Sequence, residues 1–234
     1  MKMKLIEDNQ LRLSHVVANN KMNRQRQLTG VNSYAKEIGI NIFEYLSNRI
    51  EIGEETVLWL DICCGEGKAL IECAQLLQET AYEKQVILIG LDLVSMFEVY
   101  PRKDLSNLKL LECAIELWET DRQFDLITCV HGLHYVGDKL GVIKKVAALL
   151  KPSGKFVGHI DLNNLKDNSG KPIDKCIMDS WKSMDWIYNP KKHLLEIHGK
   201  SDWKSVGVYQ GADDTAGPNY TGQEAVNSYY KLDG

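Results

Sequence analysis

Residues 57–70, VLWLDICCGEGKAL, constrain this chain more than any other stretch. An apolar run ends in Asp61, a turn holding Gly65 and Gly67 comes next, and Lys68 opens a helical pattern. A strand that passes to a helix through glycines leaves room for a ligand where a Cβ would collide. The first amides of that helix face the ligand, and an acid at the strand end can meet its charged or hydroxylated groups. A single glycine pattern of this kind is weak, so the segments after it decide.

Those segments alternate. Strand-like runs occupy Val57–Ile62, Gln85–Leu91, Leu108–Glu112, Phe124–Val130 and Lys155–Asp161, with helical patterns at Lys68–Glu79 and Asp138–Leu150. The second helix is expected to stop at Lys151-Pro152-Ser153-Gly154. Alternation of this type implies a parallel sheet with right-handed crossovers and helices on both faces. Upstream, residues 4–24 read as a helix. A second helix is expected from a cap at Asn32 or Ser33 to about Asn48.

Beyond Asp161 the alternation fades. Ile173–Trp186 reads as helix, and His193–His198 and Val206–Gln210 read as two strands joined by a short loop. Gly211–Gly222 reads as a turn-rich loop, and Ala225–Leu232 as one more strand. The expected organisation is a helical cap over residues 1–55 and a single α/β unit over 56–234.

Composition removes several classes. A net charge of −4 without a Lys/Arg cluster argues against a nucleic-acid partner, which needs concentrated positive charge. The opening MKMKLIEDNQ lacks the apolar core of a signal peptide, and no run is long enough to span a bilayer. The expected location is the cytoplasm, with no membrane partner. Six cysteines include no Cys-x-x-Cys pair and read as reduced, buried thiols.

Four features fall in order at strand ends: the Asp61–Gly67 turn; Gly90-Leu91-Asp92; Cys113-Ala114; and Phe124–Ile127 leading to Cys129-Val130-His131-Gly132-Leu133-His134-Tyr135. An acid ending the second strand is placed to take both hydroxyls of a ribose. A dehydrogenase would show a third glycine, but Leu70 stands there. In this ordered combination the chain resembles the class I S-adenosylmethionine-dependent methyltransferases. LDICCGEG is similar to their first motif, with Cys63 where a glycine is usual, and GLD at 90–92 to their second. FDLITCVHGLHYV and LLKPSGKFV resemble their fourth strand and the helix–turn–strand beyond it.

The resemblance covers about residues 56–161. It implies a Rossmann-like, doubly wound, mostly parallel seven-stranded sheet whose last strand runs antiparallel, with strands six and seven drawn from residues 193–232. It implies S-adenosyl-L-methionine as cofactor. Asp61, Gly65 and Gly67 would lie at its methionine end, Asp92 at the ribose, and Cys113 and Ala114 at the adenine, with Cys63, Leu93 and Cys129 also among the residues that bind it. Cys113 stands where many relatives carry an acid. Tyr34, with Asn32 and Arg26 behind it, is expected on a lid helix, either reaching the cofactor or packing as a core aromatic.

Methyl transfer from a sulfonium needs alignment and exclusion of water, and a base only where the acceptor must lose a proton. His131 and His134 are the candidates for that base. Asp161-Leu162-Asn163-Asn164 departs from the pattern of magnesium-dependent catechol-type relatives, so no metal is expected. His159, His193 and His198 read as structural, and Asp213, Asp214, Asn219 and Tyr220 as lining the acceptor pocket or as a solvated loop. The expected acceptor is an O or N atom of a small molecule. A peptide side chain is one alternative and a noncatalytic cofactor-binding regulator another; a homodimer is compatible with all three.

Overall fold

β1 (Val57–Ile62) is buried along its whole length, as a central parallel strand must be when helices cover both sheet faces. In this computed structural model, residues 5–11, 13–18, 25–94, 97 and 105–232 are described. β1 pairs in parallel with β2 (Val86–Asp92) on one side and β4 (Phe124–Cys129) on the other. β3 (Leu108–Glu112) extends the sheet beyond β2, and β5 (Leu150–His159) lies beside β4. β7 (Ile187–Asn189) and β8 (Leu194–His198) complete the order β3-β2-β1-β4-β5-β8-β7. β8, the last of the seven in chain order, is antiparallel to both its neighbours, β5 and β7, so it does run against the rest.

Strand order reverses between β1 and β4, and the open crevice lies beyond their carboxyl ends. Helices α5 (Lys68–Gln78) and α6 (Lys139–Leu149) pack apolar stripes on the sheet; Leu70, Cys73, Ala74 and Leu77 of α5 are buried. A buried ionic network closes the opposite end. Asp125 accepts the Leu58 amide at 2.8 Å and meets Arg49 at 3.2 Å and Lys151 at 2.8 Å.

Several expected elements differ. The helix expected to run to Asn48 is two helices, α3 (Tyr34–Ile38) and α4 (Ile42–Glu51). Gly39 turns left-handed at φ 71° to end the first, and the Asn41 side chain caps the second. Of the N-terminal helix, the described residues form two single turns, α1 (Asp8–Leu11) and α2 (His15–Ala18). Helix α6 ends at Leu149, directly before Lys151–Gly154 as expected, but that segment is strand as well as turn: β5 begins at Leu150 and passes through it, with an irregularity opposite Phe124 and Leu126. Helix α7 (Asp174–Ser183) ends earlier than expected, and β7 comes after it.

The two late strands do not form one hairpin. β8 joins the large sheet, whereas β9 (Gly207–Asp213) joins β6 (Leu165–Asp167) and β10 (Asn227–Leu232) in a separate sheet of order β6-β10-β9. β9 also takes in the start of the segment expected to be a loop. Lys139 pins this sheet to the body. Its buried ammonium donates to the Val136 and Val226 carbonyls and to Ser228 Oγ, at 2.7–3.0 Å. The loop between β9 and β10 therefore returns over the carboxyl ends of β4 and β5, carrying Tyr220.

Candidate active site

The turn after β1 is built from left-handed residues. Gly65 (φ 62°) and Gly67 (φ 75°) adopt that conformation freely, but so does Cys63 (φ 55°), at a cost of about 1 kcal/mol for an L side chain. Gly132 compensates from the neighbouring strand end. A Cβ there would collide with Cβ and Sγ of Cys63 and with Sγ of Cys129. The cysteine that replaces a glycine in the motif thus fits because the next loop has no side chain at that point.

Asp92 ties this turn to the end of β2. Its Oδ2 accepts the Gly65 amide at 2.8 Å and its Oδ1 the Val94 amide at 3.1 Å. A cleft of about 820 Å³, counting its open mouth, runs from here along the strand ends. Cys63, Asp92, Leu93, Cys113 and Ala114 line it. Val130, Gly132 and Glu116 line it too, along with Leu11 and Val17 of the N-terminal turns. Those last two carry no motif; only the fold brings residues so distant to the cleft.

Asp61, Tyr34 and Cys129 lie behind the cleft wall. Tyr34 donates to Asp61 Oδ2 at 2.7 Å, and Thr128 donates to Oδ1 at 2.6 Å. Trp59 Nε1 in turn donates to Thr128 at 2.8 Å, and the Tyr34 ring meets Trp59 edge-on. Burial lifts the Asp61 carboxyl from an ordinary 3.8 to about 7, although both hydroxyl donors favour its ionised form. Tyr34 is thus a buried core aromatic whose hydroxyl latches α3 to the end of β1. Cys129 is fully buried against Cys63.

On the far side of the β4 loop lies a second polar group. His131, itself left-handed at φ 62°, sits between Val130 and Gly132, both of which line the cleft. Its Nε2 is 3.1 Å from Glu37 Oε2 of α3, and its Nδ1 is 3.3 Å from the Tyr220 hydroxyl. Arg26 donates to Glu37 Oε1 at 2.6 Å and to Asn32 Oδ1 at 3.0 Å. The hydrogen bond from His131 and the positive charge of Arg26 hold Glu37 down at about 2, despite partial burial.

His159 stacks on His131 with ring centres 4.1 Å apart, and His193 stacks on Tyr220 at 3.8 Å. These two histidines, read from sequence as strand residues, therefore join the site. Their place was hidden because β5 and the segment before β8 meet the β4 loop only in the folded sheet. His198 stays 54% exposed and apart. His134 is fully buried, and neither ring nitrogen has a hydrogen-bond partner; burial holds it neutral. Of the late-loop candidates, Tyr220 reaches the site and Asn219 shapes its turn by accepting from Thr221. Asp213 instead bonds Thr215, away from it.

The chain matches the family described as a methyltransferase domain over residues 33–198. It is 28% identical over 184 residues to the demethylmenaquinone methyltransferase of Oceanobacillus iheyensis, covering 71% of this chain and 74% of that protein. It is 36% identical over 102 residues to the protein of the same name from Bacillus licheniformis, 42% of each chain. It is 32% identical over 118 residues to the ubiquinone biosynthesis O-methyltransferase of Coxiella burnetii, 48% of this chain and 46% of that one. The chain thus spans less than half the length of the last two. Among solved structures it is similar to the N-methyltransferase NodS of Bradyrhizobium japonicum in complex with S-adenosyl-L-homocysteine. That match has 14% identity, covers 75% and 95% of the two chains, and has a TM-score of 0.43. No helix among the described residues is long and apolar enough to cross a membrane.

The cleft fits the cofactor that such a family uses: its wall carries a carboxylate at the end of β2 and small residues after β3. The chain belongs to the methyltransferase-domain family, and it is a methyltransferase whose cofactor is S-adenosyl-L-methionine.

Proposed function

We propose that this enzyme methylates an O or N atom of a small molecule, and that the acceptor approaches the cluster around His131. The observation that carries this reading is the position of that histidine. Its chain neighbours line the cofactor cleft, while its ring faces Glu37 and Tyr220 on the other side of the loop. When bound, the cofactor supplies an electrophilic methyl group on a sulfonium, and its leaving group needs no protonation.

The protein's part is then to align the acceptor and handle its proton. With Nε2–H donated to Glu37, the His131 ring is fixed and Nδ1 presents a lone pair. The Tyr220 hydroxyl at 3.3 Å marks where a hydroxyl can meet that lone pair. Burial raises the Tyr220 phenol, so it stays protonated and serves as a donor. His134 lies behind His131 with ring centres 5.7 Å apart, and its enclosed nitrogens suit packing of the turn better than proton transfer. The relatives named for demethylmenaquinone and for an O-methylation in ubiquinone biosynthesis support a small-molecule acceptor.

The test is transfer of a labelled methyl group to a panel of small phenols, enols and amines. His131→Asn is expected to lower the rate by roughly 10²-fold or more while cofactor affinity stays within a few-fold. Transfer by the variant at the wild-type rate would remove His131 from the reaction.

A further inference from the structure

We propose that Glu37, His131 and His159 form a binding site for one divalent transition-metal ion of the zinc class. The inference rests on the reading of this cluster as the acceptor end of the cleft. One atom from each of the three residues, a carboxylate oxygen and two imidazole nitrogens, lies within 4.8 Å of both others. They come from three separate elements: helix α3, the loop after β4 and the end of β5.

Two donors about 2.1 Å from a tetrahedral ion lie about 3.4 Å apart. Glu37 Oε2 and His131 Nε2 are 3.1 Å apart, and Glu37 Oε2 and His159 Nε2 are 3.9 Å apart. The Glu37–His131 edge of the site is therefore formed. The His131 and His159 rings, nearly parallel at 7°, must splay by rotation about their Cβ–Cγ bonds to aim both lone pairs at one point.

His159 is 3% exposed, and its Nε2 faces Glu37 Oε2 at 3.9 Å, beyond hydrogen-bond reach and at a separation that an ion between the two atoms would span. The outer contacts that orient metal ligands are also present. Arg26 holds the other oxygen of Glu37, and the Tyr220 hydroxyl faces Nδ1 of His131.

On loading, the proton that His131 donates from Nε2 moves to Nδ1, where the Tyr220 oxygen can accept it, so the neutral ring changes tautomer without net proton release. Two imidazoles and one carboxylate favour zinc, cobalt, nickel or iron over magnesium, which prefers oxygen ligands and its own waters. Three protein ligands leave coordination positions open. An acceptor hydroxyl entering one of them would become more acidic, a task that falls to His131 when the ion is absent.

The test uses tag-free, full-length protein stripped with a chelator. Titration with Co²⁺ is expected to give a visible d–d band saturating at one equivalent, displaced by Zn²⁺ and not by millimolar Mg²⁺. Glu37→Gln and His159→Gln are each expected to weaken Co²⁺ binding by roughly 100-fold or more, since even outer contacts are worth 10–100-fold. Both variants should still bind S-adenosylmethionine, which certifies their fold; Glu37 is only half-buried, so its variant serves if His159→Gln does not fold. No band, equal affinity in a folded variant, or equal binding of Mg²⁺ overturns the site. Failure of stripped wild-type protein to bind S-adenosylmethionine would instead sink the methyltransferase reading, whatever Co²⁺ does.

Discussion

Asp92→Ala is expected to weaken S-adenosylmethionine binding by two orders of magnitude or more. The carboxylate has two tasks at one place. It accepts the Gly65 and Val94 amides, fixing the turn after β1 against the end of β2. It also lines the cleft, where the resemblance puts the ribose of the cofactor. Hydrogen bonds to a charged group contribute about 1.5–3 kcal/mol each, and removing the acceptor leaves enclosed donors unpaired. Two such bonds to ribose hydroxyls already account for roughly a 100-fold loss. Asp92→Asn retains one carbonyl acceptor, so it should fall between alanine and wild type. Calorimetric titration of both variants, with melting curves to confirm folding, checks the ranking. Equal affinity in all three proteins would remove Asp92 from the cofactor site.

The second large effect is a pH dependence of stability. Asp61 is 1% exposed, and its carboxyl is raised by burial from 3.8 to about 7 in the folded chain. A folded-state pKa above the unfolded one means that the folded chain binds the proton more tightly. Its contribution is fully present below about pH 4 and is lost as pH rises to 7, by roughly 4 kcal/mol over that window. His159, held at about 3 by burial, acts in the opposite sense between pH 3 and 6.5. Buried Lys139, lowered to about 7, adds stability only above that pH.

The wild-type curve alone therefore mixes several groups, and the comparison with Asp61→Asn isolates one. The neutral amide has no proton to lose, so the variant should gain on the wild type by roughly 4 kcal/mol between pH 4 and 7. Denaturant melts at pH 4, 5.5 and 7 read this difference. A constant difference across the series would mean that Asp61 is ionised throughout and held by Tyr34 and Thr128.

Much of this architecture was readable from residue patterns. β1 and β3 lie where their apolar runs place them, and α5 differs from its expected span by a single residue at its end. The cleft side of the site was readable too, because Asp92, Cys113 and Ala114 each come directly after a recognisable strand or end one. The proposed acceptor side was readable only in part: His131 and Tyr220 were candidates, whereas Glu37, His159 and His193 were not, because the five belong to separate segments that no local spacing links. The same limit explains the late strands: the pattern marks Val206–Gln210 as β but cannot say which sheet receives it. The split between α3 and α4 was carried by Gly39 and Asn41, whose stop and start signals interrupt one continuous apolar stripe.

The most direct measurement is a calorimetric titration of the folded wild-type protein with S-adenosylmethionine, repeated in competition with its demethylated product. One cofactor per chain is expected, displaced by the product and weakened by Asp92→Ala. Folded protein that binds neither compound would contradict the assignment of the cleft as a methyl-donor site.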